Sequence, residues 1–293
     1  MLELLPQFVT TGLLIGGVYA LISLGIVLIY KATSVFNFAI GQFFMVGAFF
    51  CWSFIVWAGL PVWLSILLAL AGMIAFGFVV ERLVLRPLIG QPILASLMAT
   101  LGLMVPLGGL AMFIWGAQGR GYPVAIFPGM AKTVGTVIIS NDLLWGFLIA
   151  MFCFGIFAAF FRWSKIGLGM RATAEDQQLA RGTGVNVGWI FGLTWAIAAA
   201  VATLAGIVLA TRLGLGPNET PLIALKAFPV VILGGLDSVP GVIIAGLIIG
   251  LAESVTGGLI SPTVGAITPF FILLIVLIIR PEGLFGLKRI ERI

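Results

Sequence analysis

Long apolar runs recur along this chain, separated by short polar interruptions. Runs near 7–30, 37–58, 61–80, 93–116, 143–162, 188–211, 222–236, 240–260 and 264–280 each read as a membrane-crossing helix. A helix of about 20 apolar residues spans the hydrocarbon core and satisfies its own backbone polar groups there. The runs are continuous and show no apolar–polar alternation of period two, so a transmembrane β-barrel is excluded. The weakest run is 222–236. Its 15 residues reach only about 22 Å as a helix, against a core of about 30 Å. Pro229 interrupts it, and Pro217 and Pro221 precede it. It reads equally as a short tilted helix shielded by neighbours or as a broken, re-entrant element of the kind that lines substrate paths. The expected fold is therefore all-α: a polytopic transmembrane helix bundle of about eight to ten spans, with residues 1–293 forming one domain.

One stretch breaks the apolar pattern in the middle of the chain. Residues 167–187, "GLGMRATAEDQQLARGTGVNV", place Arg171, Glu175, Asp176, Gln177, Gln178 and Arg181 close together. Thr173 followed by Asp176 has capping-box spacing and predicts a helix beginning at Ala174. Gly182 and Gly184 are available for a left-handed C-cap. The pattern predicts a short helix over about 171–184. A solvated connector between two spans satisfies the same pattern.

Composition sharpens the class. Only 9% of the 293 residues are charged, against about 25% in a soluble domain. Glycine supplies 39 positions, well above the usual share of about 7%, which predicts closely approaching helices. Cys51 and Cys153 both fall in apolar runs and read as packing residues. The N-terminal "MLELLPQFVTTGLL" lacks a positive n-region and a clear cleavage site, so the first span is expected to remain in the mature protein.

Charge sets an expected orientation. With the N-terminus outside, Lys31, Arg82, Arg86, Arg162, Lys165, Arg171, Arg181, Arg280, Lys288, Arg289 and Arg292 fall on the cytoplasmic side, 11 of the 15 basic residues. Arg120, Lys132, Arg212 and Lys226 fall outside. The positive-inside rule then places both the polar stretch and the C-terminus in the cytoplasm. It also explains the net charge of +5 without nucleic-acid binding.

The candidate chemistry is sparse. Glu253 is the acid deep in a span, where a charge costs about 2.5–3.5 kcal/mol on insertion scales. It reads as facing a hydrated path, or as a structural group bonded to hydroxyls such as Ser254 or Thr256. Asn37, Gln42 and Thr100 either line a path or hydrogen-bond helices together. Gly246 and Gly250 fit a close helix crossing, and Asp237 with Ser238 fits a tight turn. The chain has no histidine, which excludes Ser–His, Cys–His and HExxH sites. No phosphate-binding GxxxxGK[ST] loop occurs either. No catalytic or metal site and no bound cofactor are expected, and any ATP chemistry must belong to another chain.

Five stretches in order resemble the branched-chain amino acid ABC transporter permease family. The polar stretch is similar to the coupling helix of ABC importer permeases. Residues 12–30, "GLLIGGVYALISLGIVLIY", resemble the family's first span. Residues 37–47, "NFAIGQFFMVG", follow its second motif, with Ile40 where His is common. Residues 227–241, "AFPVVILGGLDSVPG", and 280–286, "RPEGLFG", are similar to its two later signatures. The resemblance covers essentially the whole length.

It implies a permease subunit of a bacterial inner-membrane importer for branched-chain or other hydrophobic amino acids. It further implies two ATPase subunits that use ATP, a second and related permease chain, and an extracytoplasmic binding protein. Arg171, Ala172, Glu175, Asp176, Leu179, Ala180, Arg181 and Gly184 are the expected ATPase-coupling residues. Arg171 and Arg181 would offer hydrogen bonds, and Ala172, Leu179 and Ala180 an apolar contact. Glu253, Asn37, Gln42 and Thr100 are the expected path residues. The same machine carrying urea or amides is the nearest alternative. A stand-alone secondary transporter would instead need internal repeats and several paired intramembrane charges.

Overall fold

The computed structural model describes residues 4–135, 137–280 and 282–286. It opens with α1 (Leu5–Thr33), followed by α2 (Ile40–Val56), α3 (Val62–Val80) and α4 (Ile93–Trp115). A β-hairpin, β1 (Lys132–Val134) and β2 (Val137–Ile139), precedes α5 (Asn141–Trp163). Next come α6 (Lys165–Glu175), α7 (Gln177–Gly182) and α8 (Val187–Leu213). The chain closes with α9 (Glu219–Ile223), α10 (Ala227–Gly234), α11 (Val239–Leu259) and α12 (Pro262–Ile279).

Among the described residues, seven helices are long and apolar enough to cross a membrane: α1, α3 with its continuation to Leu88, α4, α5, α8, α11 and α12. The 17-residue α2 is a shorter apolar helix. Among the described residues, the hairpin is the one sheet in an otherwise helical chain.

Burial sorts the helices into layers. The apolar windows of α1 and α8 are 83% and 78% buried, whereas those of α11 and α12 are 28% and 11% buried. The first two are the centre of the bundle, and the others present broad apolar faces outward.

Glycine makes the inner contacts possible. A Cβ added at Gly16 of α1 would stand 2.5 Å from the Gly246 carbonyl oxygen of α11, and one at Gly77 of α3 would stand 2.6 Å from the Trp195 oxygen of α8. Side chains there would force the backbones apart. The crossing expected at Gly246 and Gly250 is thus made against Gly12 and Gly16 of α1.

Three spans depart from the hydropathy pattern. The second starts later than expected: Ser34, at φ 56°, ends α1, and residues 34–39 run without helix before α2. Asn37 favours this, because its Oδ1 accepts from the Ala39 amide at 3.0 Å and competes with helical pairing. The third continues beyond Val80 through a π-helical turn at Glu81–Leu85 and a 3₁₀ turn at Arg86–Leu88. The run at 222–236 is broken. It consists of α9, a 3₁₀ turn at Ala224–Lys226, and α10.

The hairpin end of the bundle is tied together. Gln7 of α1 pairs with the Ile138 backbone in both directions, at 2.9 and 2.7 Å. Arg120 and Leu215 form a two-way backbone bridge at 2.7 Å. The opposite end carries α6, α7 and the turn before α11, where Ser238 Oγ accepts from the Gly241 amide. Lys288, Arg289 and Arg292, which entered the expected charge bias, lie outside the described residues.

Candidate functional site

The break between α9 and α10 creates an intramembrane polar cluster. Lys226 ends the 3₁₀ turn, and its Nζ lies 2.5 Å from Glu253 Oε1 on α11 and 3.3 Å from the Tyr19 hydroxyl. Tyr19 is the middle residue of the 29-residue α1, so the cluster sits well inside the bundle. The two charged side chains are 24% and 16% exposed. Glu253 Oε2 is buried and has no hydrogen-bond partner.

Two expectations change here. Lys226 is inside the bundle and not in an external loop: the charge rule counts position along the chain, whereas the broken helix folds this residue inward. Nor do the Ser254 and Thr256 hydroxyls bind the Glu253 carboxylate. Ser254 Oγ donates to Phe8 O at 2.8 Å, and Thr256 Oγ1 bonds Thr268 and the Ala252 carbonyl.

Asn37, Gln42 and Thr100 lie elsewhere, at the start of the second span: Asn37 in the non-helical segment, Gln42 in the first turn of α2 and Thr100 on α4. Thr100 Oγ1 donates to Phe36 O at 3.2 Å and accepts from the Phe38 amide at 3.4 Å, holding this segment against α4. Asn37 Nδ2 and Gln42 Oε1 are buried without partners. Around them Phe36, Phe38 and Phe228 form a ring cluster with centroids 4.9, 5.4 and 5.6 Å apart. Glu253 is therefore separate from the other three residues, across the broken element.

At the hairpin end, a cleft of about 270 Å³ is lined by Arg120, Leu213, Leu215, Glu219 and Ile223. Arg120 donates to the Trp115 carbonyl at 3.0 and 2.6 Å and lies over the Trp52 ring at 4.7 Å. Its neighbour Tyr122 donates to Ala48 O at 2.9 Å. Burial pushes the Tyr122 phenol well above its ordinary pKa, so it stays a neutral donor.

The opposite end carries the polar stretch, which is two helices. Ser164 caps α6 by accepting from the Gly167 amide at 2.8 Å. Thr173 starts no helix: it is buried inside α6, and its hydroxyl turns back to Gly169 O at 2.8 Å. The second cap is Asp176, which is extended at φ −154°, ψ 116° and accepts from the Gln178 and Leu179 amides at 2.7 and 2.9 Å. The capping box expected between Thr173 and Asp176 does not form, and no helix starts at Ala174. Thr173 faces the core, while Asp176 is exposed and free to bend the chain. Gly184, at φ +89°, follows the end of α7, where a residue with a Cβ is disfavoured.

The expected contact residues divide into two sets. Arg171 is engaged internally: its guanidinium donates to Phe161 O and lies over the Phe161 ring, which Lys31 also faces. Ala180 is 3% exposed and packs with Val187 and Phe191, with Ala172 beside them. Arg171 and Ala172 are half-buried and Ala180 is buried, so all three side chains pack toward the bundle. Glu175, Asp176, Arg181 and Gly184 are exposed, and Leu179 is 70% exposed. A groove of about 520 Å³ runs between this break and the ends of α1 and α3, bordered by Ser34, Leu88, Gln91, Glu175 and Gln178.

One buried charge escaped the sequence reading. Glu81, fully buried in the π-helical turn, accepts from Arg86 at 3.2 and 2.8 Å, and Arg86 also donates to Gly188 O at 2.9 Å. The link joins the end of α3 to the first turn of α8, directly after the polar helices. The available signal was an acid at the end of an apolar run with a cation five residues on.

Comparisons with known proteins bear on what these features serve. The family model described as branched-chain amino acid transport system / permease component matches residues 8–279. The high-affinity branched-chain amino acid transport system permease protein BraD of Pseudomonas aeruginosa is 31% identical, over 98% of this chain and 97% of its own. The corresponding LivH of Escherichia coli is 28% identical over the same shares. A probable LivH of Methanocaldococcus jannaschii is 26% identical, over 93% of this chain and 90% of its own.

Proposed function

This chain belongs to the branched-chain amino acid transport permease family, and from that premise we propose that it forms the membrane path of an ABC importer for branched-chain or other hydrophobic amino acids. It is one permease domain without ATP chemistry of its own. Two ATPase subunits supply hydrolysis, an extracytoplasmic protein delivers the substrate, and a second, related permease completes the path. The chain sits in a bacterial inner membrane with its N-terminus outside, so α6 and α7 face the cytoplasm.

The observation that carries the reading is the α6–α7 pair: two capped polar helices at one end of an apolar bundle, with Glu175, Asp176, Leu179 and Arg181 turned outward. In the proposal these residues dock into an ATPase, while Arg171, Ala172 and Ala180 make the pair move with the bundle. Glu253 lines the path, and Asn37, Gln42 and Thr100 line it on the cytoplasmic side of the break. The test is transport by the complete importer in liposomes. ATP-driven leucine uptake that needs this chain supports the reading, and uptake of urea or amides in place of leucine contradicts its substrate.

A further inference from the structure

We propose that Lys226 and Glu253, with the Tyr19 hydroxyl, form a transient site that takes the two charges of a zwitterionic amino acid as it crosses the bundle. The inference rests on the transport reading above and names the residues that would make passage of such a substrate possible.

An amino acid with an apolar side chain carries its transport problem at its α-carbon. The carboxylate and the ammonium must both leave water, and an unpaired charge inside the membrane is costly. The cluster offers one partner for each. The Lys226 ammonium can donate to the substrate carboxylate, and the Glu253 carboxylate can accept from the substrate ammonium. The site is neutral before and after the exchange, so no step leaves a lone charge in the bundle.

Three observations favour exchange over a static tie. First, the pair is incompletely satisfied. Glu253 Oε2 is buried with no partner, although a buried carboxylate fully used in a structural tie would have its oxygens bonded. That atom is where an incoming ammonium would first bond. Second, Lys226 sits on the 3₁₀ turn between α9 and α10 and not on a continuous helix. Broken helices inside a membrane are where transporters place substrate groups, and a four-carbon stem allows the ammonium to swing. Third, Glu219, Ile223 and Lys226 follow one another at spacings of four and three residues, so they share one face of the broken element. Glu219 and Ile223 line the cleft at the hairpin end, and Lys226 is the next position along that face. A buried ion pair is in any case weak evidence of stability, since apolar residues of like size often serve as well.

The test uses the complete importer with its ATPases, second permease and binding protein in liposomes, with leucine as the probe and assembly measured by co-purification. In Lys226→Met/Glu253→Gln the pair becomes neutral and near-isosteric. Leucine uptake should fall by about ten-fold or more, the effect of losing about 1.4 kcal/mol of barrier stabilisation, while the complex still assembles. In Lys226→Glu/Glu253→Lys an ion pair remains but its polarity is reversed, and uptake should stay low because the side chain would have to enter the opposite way round. Parental uptake by the neutral variant overturns the proposal. So does full recovery in the reversed variant, which would show that any ion pair suffices. Loss of assembly in both variants also overturns it, marking the pair as a structural tie. A parent importer that assembles and hydrolyses ATP but carries no leucine removes the transport reading itself and this site with it.

Discussion

Arg86→Met tests the buried link between α3 and α8 most sharply. Glu81 is fully buried and Arg86 is 39% exposed. The substitution removes two hydrogen bonds to the carboxylate and one to Gly188 O, and keeps much of the aliphatic stem. Removing one partner of a fully buried ion pair costs about 3–5 kcal/mol. Water can follow the exposed side of the lost guanidinium, which lowers the expected loss to about 2–3 kcal/mol. Glu81→Leu/Arg86→Met removes the stranded charge as well and should lie within about 1 kcal/mol of the parent. Equilibrium unfolding in mixed detergent micelles, followed by tryptophan fluorescence, measures all three proteins. The reasoning is refuted if Arg86→Met stays within about 0.5 kcal/mol of the parent, the usual scale of a surface substitution. It is also refuted if the double variant is as unstable as the single one.

Gly16→Val places a branched side chain against the Gly246 carbonyl; it should cost about 1–3 kcal/mol or more by overpacking, read in the same unfolding assay. Asp176→Ala removes the cap of the six-residue α7 and should cost about 1 kcal/mol locally. Faster hydrogen exchange at the Gln178 and Leu179 amides, with the rest of the bundle unchanged, is the expected signature. Tyr122→Phe deletes the bond to Ala48 O and should lower stability by about 1 kcal/mol, measured again by unfolding in micelles.

Hydropathy alone located the bundle, because a helix in lipid needs little more than a long apolar run. It could not show that the second span begins late or that α9 and α10 are separate. Those breaks depend on local groups, the Asn37 carboxamide and the prolines around 217–229, competing with helical bonding. Glu253 was legible as a buried acid, yet its partner was not. Lys226 looked external because only tertiary folding of the broken element brings it to α11 and α1. In the polar stretch, composition suggested one helix over about 171–184; its division into α6 and α7 at the extended Asp176, and the burial within it, were not legible. Arg171 and Ala180 resemble contact residues in sequence, and in the fold their side chains pack toward the bundle. Glu81 was missed because a charge at the end of an apolar run ordinarily reaches water.

The central claim, that α6 and α7 carry the ATPase contact, is tested most directly by a photo-crosslinking residue at position 179 in the transport-competent complex. Leu179 is 70% exposed on α7, and Phe113 of α4, 88% exposed on an apolar face, serves as the control position. The account predicts a crosslink from position 179 to an ATPase subunit, changing in yield between nucleotide-free and ATP-bound states, and none from position 113. An importer that transports leucine while position 179 crosslinks only to lipid or solvent would contradict it.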